Sequence, residues 1–576
     1  MNDFTETATA GISTGKLEQA KRPSASRALL ILPFAAYLLL ALALLPDYMT
    51  FYNKDEIAYV AIAERYARGD FATAPNSMWG PLISWLMALP MSIGISSIIA
   101  ARTTQILVGA ATLWSVGRLA KALTLRDRLR LVFMLTLIPY ILYFALYTAR
   151  ADLVLTGLLV LYFAVIVDPD YPNRQYSGVL CGFLGGFAYY AKGYALGFFL
   201  VHFVTCSALH WIAHSEPGIR KKVARHMAAG LAVLATLVSI WTAVLYQKYG
   251  ALTVGVTGSY NYQIAGPGAK ARPSLSMGFA EPPKSTTVSI WEDPAYFYAL
   301  PEARDCCLKA WTPFDSFQAF RHQVRKLKSN LGRTLLALIS FSPFTLPVGF
   351  AALAYCFVPW WPSNQRRAKP RPDTSKRKRA ALYLAEVQTL LAKNQRLMPL
   401  LMLLTVVLYA TPYMLIWSDE RYLWPALIIL MGLGFFLLDR FVMTYQLKPT
   451  IGQWLIGIFA ASFLLYPIYK LSTGLKARES YAFFVRQLRG SEVTGAKFAS
   501  NTDYGASMVV GYYLKAKYYG QAIPGMSETE IAESLKRKHV QYYFVWGLPA
   551  TPRPGMTLSR VVRGEFRTLA IYKVDS

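Results

Sequence analysis

Histidine, cysteine and acidic residues are all scarce in this chain: six, five and 32 in 576 residues, against 60 lysines and arginines. Few histidines leave little room for metal chemistry. His210 and His214 stand four apart, but at the basic end of an apolar run with no acid placed to complete a site, and HExxH is absent. There is no Walker loop and no GxGxxG opening a helix, so ATP, nicotinamide and zinc-hydrolase chemistries lack their residues. Cys181, Cys206 and Cys356 lie in or near apolar runs and read as packing residues. Cys306 and Cys307 are adjacent in a long loop, where a mutual bridge would be strained, and no cysteine spacing suits zinc. No small-residue cleavage motif follows the apolar run Ser26–Pro46, which reads as a retained span rather than a cleaved signal.

Apolar surface is what the chain has in abundance. Hydrophobic residues make up 54% of it, and the mean hydropathy is +0.31. Separate apolar runs predict a polytopic helical membrane protein with eleven or more spans, near 28–46, 101–122, 131–148, 152–168, 177–191, 193–213, 227–248, 331–358, 397–417, 422–439 and 451–470. Aromatics, at 14%, suit membrane–water interfaces and also stacking on sugars; both readings stand. A net charge of +28 would suggest nucleic acid as partner in a soluble chain. Here the bases cluster between apolar runs, so positive-inside topology is the simpler cause. Lys16, Lys21, Arg22 and Arg27 precede the first run. Arg118, Lys121, Arg126, Arg128 and Arg130 follow the second, Arg220–Arg225 precedes the seventh, and Asn364–Ala380 is the most basic stretch. All are expected on the cytoplasmic side.

That parity holds if the apolar segment Gly80–Ile99, interrupted by Pro81 and Pro90, lies in the interface or re-enters; the alternative is an ordinary span compensated by a further helix elsewhere. On the first reading the external parts are 47–101, the turn Thr148–Ala151, the neighbourhood of Lys192, the loop 249–330, the turn Ser418–Arg421 and the tail from 471. The tail reads as a small soluble α/β domain. Helices are expected at Glu479–Leu488 and Ala506–Tyr519, and strands at Gln541–Trp546 and Arg567–Val574.

The candidate site residues share the external side. Asp55 and Glu56 head an amphipathic helix just past the first span; paired acids serve as a general base or hold a divalent cation, though acids also simply favour the first turn of a helix. Asp152 starts a span two residues after Arg150, where it either caps the helix or pairs with that arginine. Lys192 lies between two apolar runs and either snorkels or binds a lipid phosphate. Asp419, Glu420 and Arg421 form a tight turn, whose arginine can hold a phosphate or whose charges can pair among themselves. Tyr59 and Trp79 are further candidates beside the acidic pair.

In order along the chain, these residues form a pattern. It comprises DE followed by YxxIAxxxxxGDF at 55–71, PLxxW at Pro81–Trp85, ARxxQ at Ala101–Gln105, RAD at Arg150–Asp152, KG at Lys192–Gly193 and ERYLWP at 420–425. The chain thereby resembles membrane glycosyltransferases of the GT-C type, within the protein O-mannosyltransferase and lipid A aminoarabinose transferase group. The resemblance covers about the first 430 residues. It implies a transmembrane catalytic domain over 1–470, with external loops 47–101 and 249–330 and a basic cytoplasmic loop 361–396, and an external domain over 471–576. It implies an inverting enzyme of the bacterial inner membrane that moves one sugar from a polyprenyl-phosphate donor to a lipid, glycan or protein of the cell envelope, lipopolysaccharide included, on the periplasmic side. Asp55 then matches the general base with Glu56 beside it, Asp152 matches a second acid, and Lys192, helped by Arg150 and Arg421, meets the donor phosphate. A divalent cation at Asp55 and Glu56 remains open. One departure stands out: where the aminoarabinose group has a lysine before two prolines, this chain has Trp79-Gly80-Pro81. The alternatives are a transporter or flippase, disfavoured because charges are nearly absent from span centres, and an envelope glycan ligase or polymerase.

Overall fold

The computed structural model describes residues 27–51, 53–147, 149–267, 278–294, 310–357, 396–565 and 567–575. Lys16, Lys21, Arg22, Thr148, Cys306, Cys307 and the basic loop up to residue 395 lie outside the described residues. The first half of the chain is a helical array: α1 (Arg27–Leu44), α2 (Lys54–Ala67), α3 (Pro81–Ser92), α4 (Ser97–Ala122), α5 (Asp127–Tyr147), α6 (Asp152–Ile166), α7 (Ser177–Ala191), α8 (Tyr194–Ala213), α9 (Pro217–Tyr249) and the short α10 (Thr257–Ile264). Prolines open α3 and α9, where their missing N–H is not needed. Gly250, at a φ of 67°, closes α9 in the left-handed conformation that glycine adopts without strain.

Among the described residues, seven helices are long and apolar enough to cross a membrane. An eighth crossing is possible only if Phe317–Phe341 and Thr345–Phe357 together make one, and these two meet at a bend of 101°. The expected straight span 331–358 is therefore broken, at Ser342, whose backbone leaves the helix. The expected eleven spans each coincide with a helix or with this bent pair, but the count of eleven is not reached by length and apolarity. Helices α6 and α7 have 15 residues each, roughly 22 Å, against a hydrocarbon core of about 30 Å. The 26-residue α4 carries Arg102 and Gln105 near one end and Arg118 and Lys121 near the other. Within the segment Gly80–Ile99, α3 is 12 residues long, about 18 Å, and Gly94 then turns the chain into α4.

Helices α4, α5 and α6 pack together, and α6 and α9 both pack on α7, whose C-terminal end carries Lys192. Downstream, Leu397–Ile416, Trp424–Thr444 and Pro449–Ser462 complete the helical body. The helix Leu465–Leu488 then runs straight through the expected domain boundary at 470.

The tail is a five-stranded sheet in the order β2-β1-β3-β5-β4, built from β1 (Lys497–Ser500), β2 (Lys517–Gln521), β3 (Tyr542–Trp546), β4 (Met556–Arg563) and β5 (Thr568–Val574). Helices Tyr504–Tyr513 and Glu528–Arg537 cross between β1, β2 and β3, so those strands run parallel; β5 pairs antiparallel with both β3 and β4. The expected helix Ala506–Tyr519 stops at Tyr513. Lys515 takes a positive φ of 52°, and Lys517–Gln521 becomes an edge strand whose Tyr518 and Tyr519 are buried.

Candidate active site

Helix α2 sets two carboxylates in two different surroundings. The Asn53 side chain accepts a hydrogen bond from the Asp55 amide at 2.9 Å, fixing the helix start and putting both acids in the first turn, toward the positive end of the helix dipole. Successive residues on a helix diverge by about 100°. Glu56 consequently turns into the protein. It is fully buried, 2.8 Å from one Arg102 guanidinium nitrogen, and accepts from the Ala149 amide at 2.8 Å. Arg102 spends its other donors on the carbonyls of Tyr48 (2.8 Å) and Thr50 (3.1 Å). Glu56, expected next to Asp55 in the site, thus belongs to a buried ion pair that ties α2 to α4. The two carboxylates do not converge on a cation, and no group of three His, Cys, Asp or Glu among the described residues could hold a metal.

Asp55 turns the other way, to Arg421 at 3.4 Å and Arg150 at 3.8 Å, and retains partial exposure. Burial pushes its carboxyl up, but Arg150, Arg421 and Lys54 outweigh burial and bring it down to about 2. Asp55 is therefore ionised throughout the physiological range. Arg150 is held from behind, because the Gln105 amide donates to its carbonyl at 2.8 Å. The ARxxQ motif acquires a physical reading: Arg102 and Gln105, three apart on one face of α4, secure Glu56 and the Arg150 loop.

A second ion pair joins the ends of α6 and α7. Lys192 donates to Asp152 at 2.9 Å, and its ammonium also lies 4.1 Å from the centre of the Tyr422 ring. The Tyr422 hydroxyl accepts from Arg421 at 2.9 Å. Asp55, Arg421, Tyr422, Lys192 and Asp152 thus form one continuous polar chain with Arg150 at its edge. It joins residues that lie 366 apart along the sequence. Tyr59 lies one turn beyond Asp55 and is buried. Burial pushes its hydroxyl far up, and Asp152 and Asp55 add to this, so it stays a neutral phenol. Trp79 meets the Tyr59 ring edge-on at 5.2 Å, and its indole N–H points to the Trp291 carbonyl at 3.4 Å.

In Trp79-Gly80-Pro81, the glycine where the aminoarabinose group has its first proline has a steric reason; Trp79, at the lysine's place, does not share it. A Cβ on Gly80 would collide with the carbonyls of Tyr190 and Ala191, the two residues just before Lys192. The loop packs where a longer residue cannot, and the cations of the site come from Arg150, Lys192 and Arg421 instead.

The acidic turn divides. Asp419 stays beside Arg421, accepting from its amide at 3.3 Å with its guanidinium 3.8 Å away. Glu420 faces Lys470 at 2.9 Å and accepts from the Tyr466 hydroxyl, on the helix Leu465–Leu488 rather than toward Asp55.

Sequence reasoning missed Tyr422 as the link between the two ion pairs, and it missed a clamp behind Trp79. Glu292 is fully buried, accepts from the amides of Thr287, Val288 and Ser289, and faces Arg65 at 3.3 Å. Asp293, equally buried, holds Lys248 at 2.5 Å and the Tyr249 hydroxyl at 2.7 Å. Lys248 also donates to the carbonyls of Thr73 and Pro75, and Asn76 donates to the Glu292 carbonyl. Only the run Trp291-Glu292-Asp293 hinted at this, and the side chains it pairs with lie 44 to 227 residues away.

Neither a protein-family model nor a curated protein matches the chain. Solved structures do. ArnT from Cupriavidus metallidurans, in its crystal structure bound to undecaprenyl phosphate, superposes with a TM-score of 0.50 at 12% identity, over 95% of this chain and 98% of that one. Its apo form gives 0.47 at 15% identity over the same shares. The apo oligosaccharyltransferase of Archaeoglobus fulgidus gives 0.48 at 11% identity, over 90% of this chain and 69% of that one. Likeness at such identities is likeness of fold, and the first superposition carries it: the chain has the GT-C fold of membrane glycosyltransferases. That superposition takes in nearly the whole of both chains.

Proposed function

We propose that this chain is an inverting membrane glycosyltransferase that moves a single sugar from a polyprenyl-phosphate donor to a cell-envelope acceptor at the outer face of the inner membrane. The observation that carries this reading is Asp55 between Arg150 and Arg421, with Lys192 on Asp152 beside them. Three cations at the ends of apolar helices suit the phosphate of a bilayer-anchored donor, whose reactive carbon lies at the interface. No nucleotide is required, in keeping with the missing nucleotide motifs.

In this reading Asp55 takes the proton of the acceptor hydroxyl while that oxygen attacks the anomeric carbon. The bond from that carbon to the phosphate oxygen breaks, and the phosphate leaves with the electron pair. Arg150, Arg421 and Lys192 stabilise the growing negative charge. Asp152 holds Lys192 in place, and Tyr59 and Trp79 form a wall against which a sugar ring can lie. A base held down to about 2 is a weak one. Donor phosphate competing for the same arginines would release it, so the base strengthens when substrate is bound.

The test is Asp55→Asn in a transfer assay with purified polyprenyl-phosphate sugar. Turnover should fall by about 10²- to 10⁴-fold with donor binding retained. Full turnover in the variant would remove Asp55 from the chemistry.

A further inference from the structure

The helix Phe317–Phe341 lies outside the site; its first half was expected as a helical patch, Phe317–Lys328, in the external loop 249–330, and its second half as the start of the span 331–358. Its surroundings describe something else. Gln323, Asn330 and Thr334 hydrogen-bond to Leu415, Met414 and Ser418, and Arg333 lies 4.2 Å above the Trp417 ring. Residues 323 to 334 cover about 16 Å of helix, yet all meet the five residues 414–418 at one end of the helix Leu397–Ile416. A helix that meets only the tip of a membrane-crossing helix over such a length lies across it. The 101° bend into Thr345–Phe357 means that the two helices do not share one axis across a bilayer.

The face of this helix that touches the protein is mixed: Ala319, Asn330, Thr334, Leu338 and Phe341 are buried there. The face that does not is an apolar stripe of Phe317, Phe320, Val324, Leu327, Leu331 and Leu335, at helical spacing and all exposed. Exposed Arg321, Arg325 and Lys328 run along one edge of the stripe. The segment 317–341 holds five lysines and arginines and no acidic residue. Among the described residues, none of those three forms an ion pair. An apolar face edged with uncompensated positive charge complements a leaflet of anionic phosphate lipid.

We propose that Phe317–Phe341 is an in-plane interfacial helix that seats its apolar stripe in the acyl boundary and binds anionic lipid headgroups through Arg321, Arg325 and Lys328. It ends beside a groove of about 430 Å³ lined by Arg333, Trp417, Asp419 and Glu420, on the turn that carries Arg421. Anionic lipids therefore gather at the edge of the site.

The test uses the full chain with its five native cysteines replaced by alanine, in nanodiscs of phosphatidylcholine with or without phosphatidylglycerol. Spin labels go at Leu327→Cys on the stripe and at Ser329→Cys on the opposite, exposed side. The Leu327 label should be reached by oxygen and shielded from an aqueous nickel chelate, and the Ser329 label the reverse. Both labels shielded would mean a span, both reached by nickel a water-exposed helix, and a Leu327 label reached by neither agent a covering protein partner; each overturns the proposal. In a separate arm, the native-cysteine chain should retain phosphatidylglycerol over phosphatidylcholine through detergent washing by about tenfold or more, and R321Q/R325Q/K328Q should lose that preference. All three side chains are exposed, so the variant should keep the parental elution profile and melting temperature. An unchanged lipid preference in a folded variant would overturn the headgroup assignment.

Discussion

Two neighbouring carboxylates end in opposite circumstances, and that contrast is measurable. Glu56 and Arg102 are both fully buried, so removing one leaves the other charged and unpaired. Glu56→Gln or Arg102→Met should destabilise the fold by about 3–5 kcal/mol, seen as a large drop in thermal midpoint, whereas Asp55→Asn should lose turnover with a much smaller change in melting. If Glu56→Gln melts like the parent while losing activity, Glu56 belongs in the site after all. Asp55 also sets a pH dependence. A carboxyl held below its unfolded value contributes stability that is fully present above about pH 4 and is lost as pH falls through about 2. For the free enzyme, kcat/KM should therefore show no acid limb from Asp55 between neutral pH and about pH 4. Once donor phosphate shares Arg150 and Arg421, the carboxyl rises, so the acid limb of kcat should lie at higher pH than that of kcat/KM. Coincident limbs would argue against shared arginines. The DE pair was visible in the sequence, but which acid faces the arginines was not, because that depends on helix phase relative to α4.

Local stereochemistry accounts for what was legible among the elements. The start of α2 follows from Asn53 and two acids, and the start of α3 from Gly80-Pro81. The break of 331–358 into two helices was marked by Pro343, which pushes Ser342 out of helical backbone, although the apolar run continues through it. The start of the edge strand Lys517–Gln521 falls in the expected helix Ala506–Tyr519, because Gly511 is tolerated inside the observed helix and tertiary pairing with β1 overrides the pattern beyond Tyr513. Gly80 shows an element serving the site from outside it. Gly80→Ala would push α3 away from the carbonyls ahead of Lys192, lowering turnover by about tenfold or more with Asp55 intact. A Gly80→Ala enzyme with parental kinetics would show that Lys192 does not depend on this contact.

In the molecule as a whole, the small sheet domain and helix α2 are tied together. The Tyr512 hydroxyl donates to Glu64 of α2 at 2.6 Å, the Phe51 amide donates to the Tyr513 hydroxyl at 2.7 Å, and the Lys54 ammonium lies 5.2 Å from the centre of the Tyr504 ring. The sheet domain and Asp55 should therefore face the same compartment. In a cysteine-free background, a membrane-impermeant thiol reagent should label Ser559→Cys, on the exposed sheet, but not Ser375→Cys in the basic loop, when applied to sealed right-side-out membrane vesicles. Equal labelling of both, or labelling of the loop alone, would reverse the orientation. Membrane residence, the order of apolar runs and the identity of the charged candidates were determined by the sequence itself, since hydropathy and charge are properties of residues wherever the chain goes. The meeting of Asp55 with Arg421, the withdrawal of Glu56 and Glu420 into other pairs, and the clamp of Glu292 and Asp293 were decided only by the tertiary structure. Each joins or separates side chains through the packing of distant helices, and no local pattern encodes that distance.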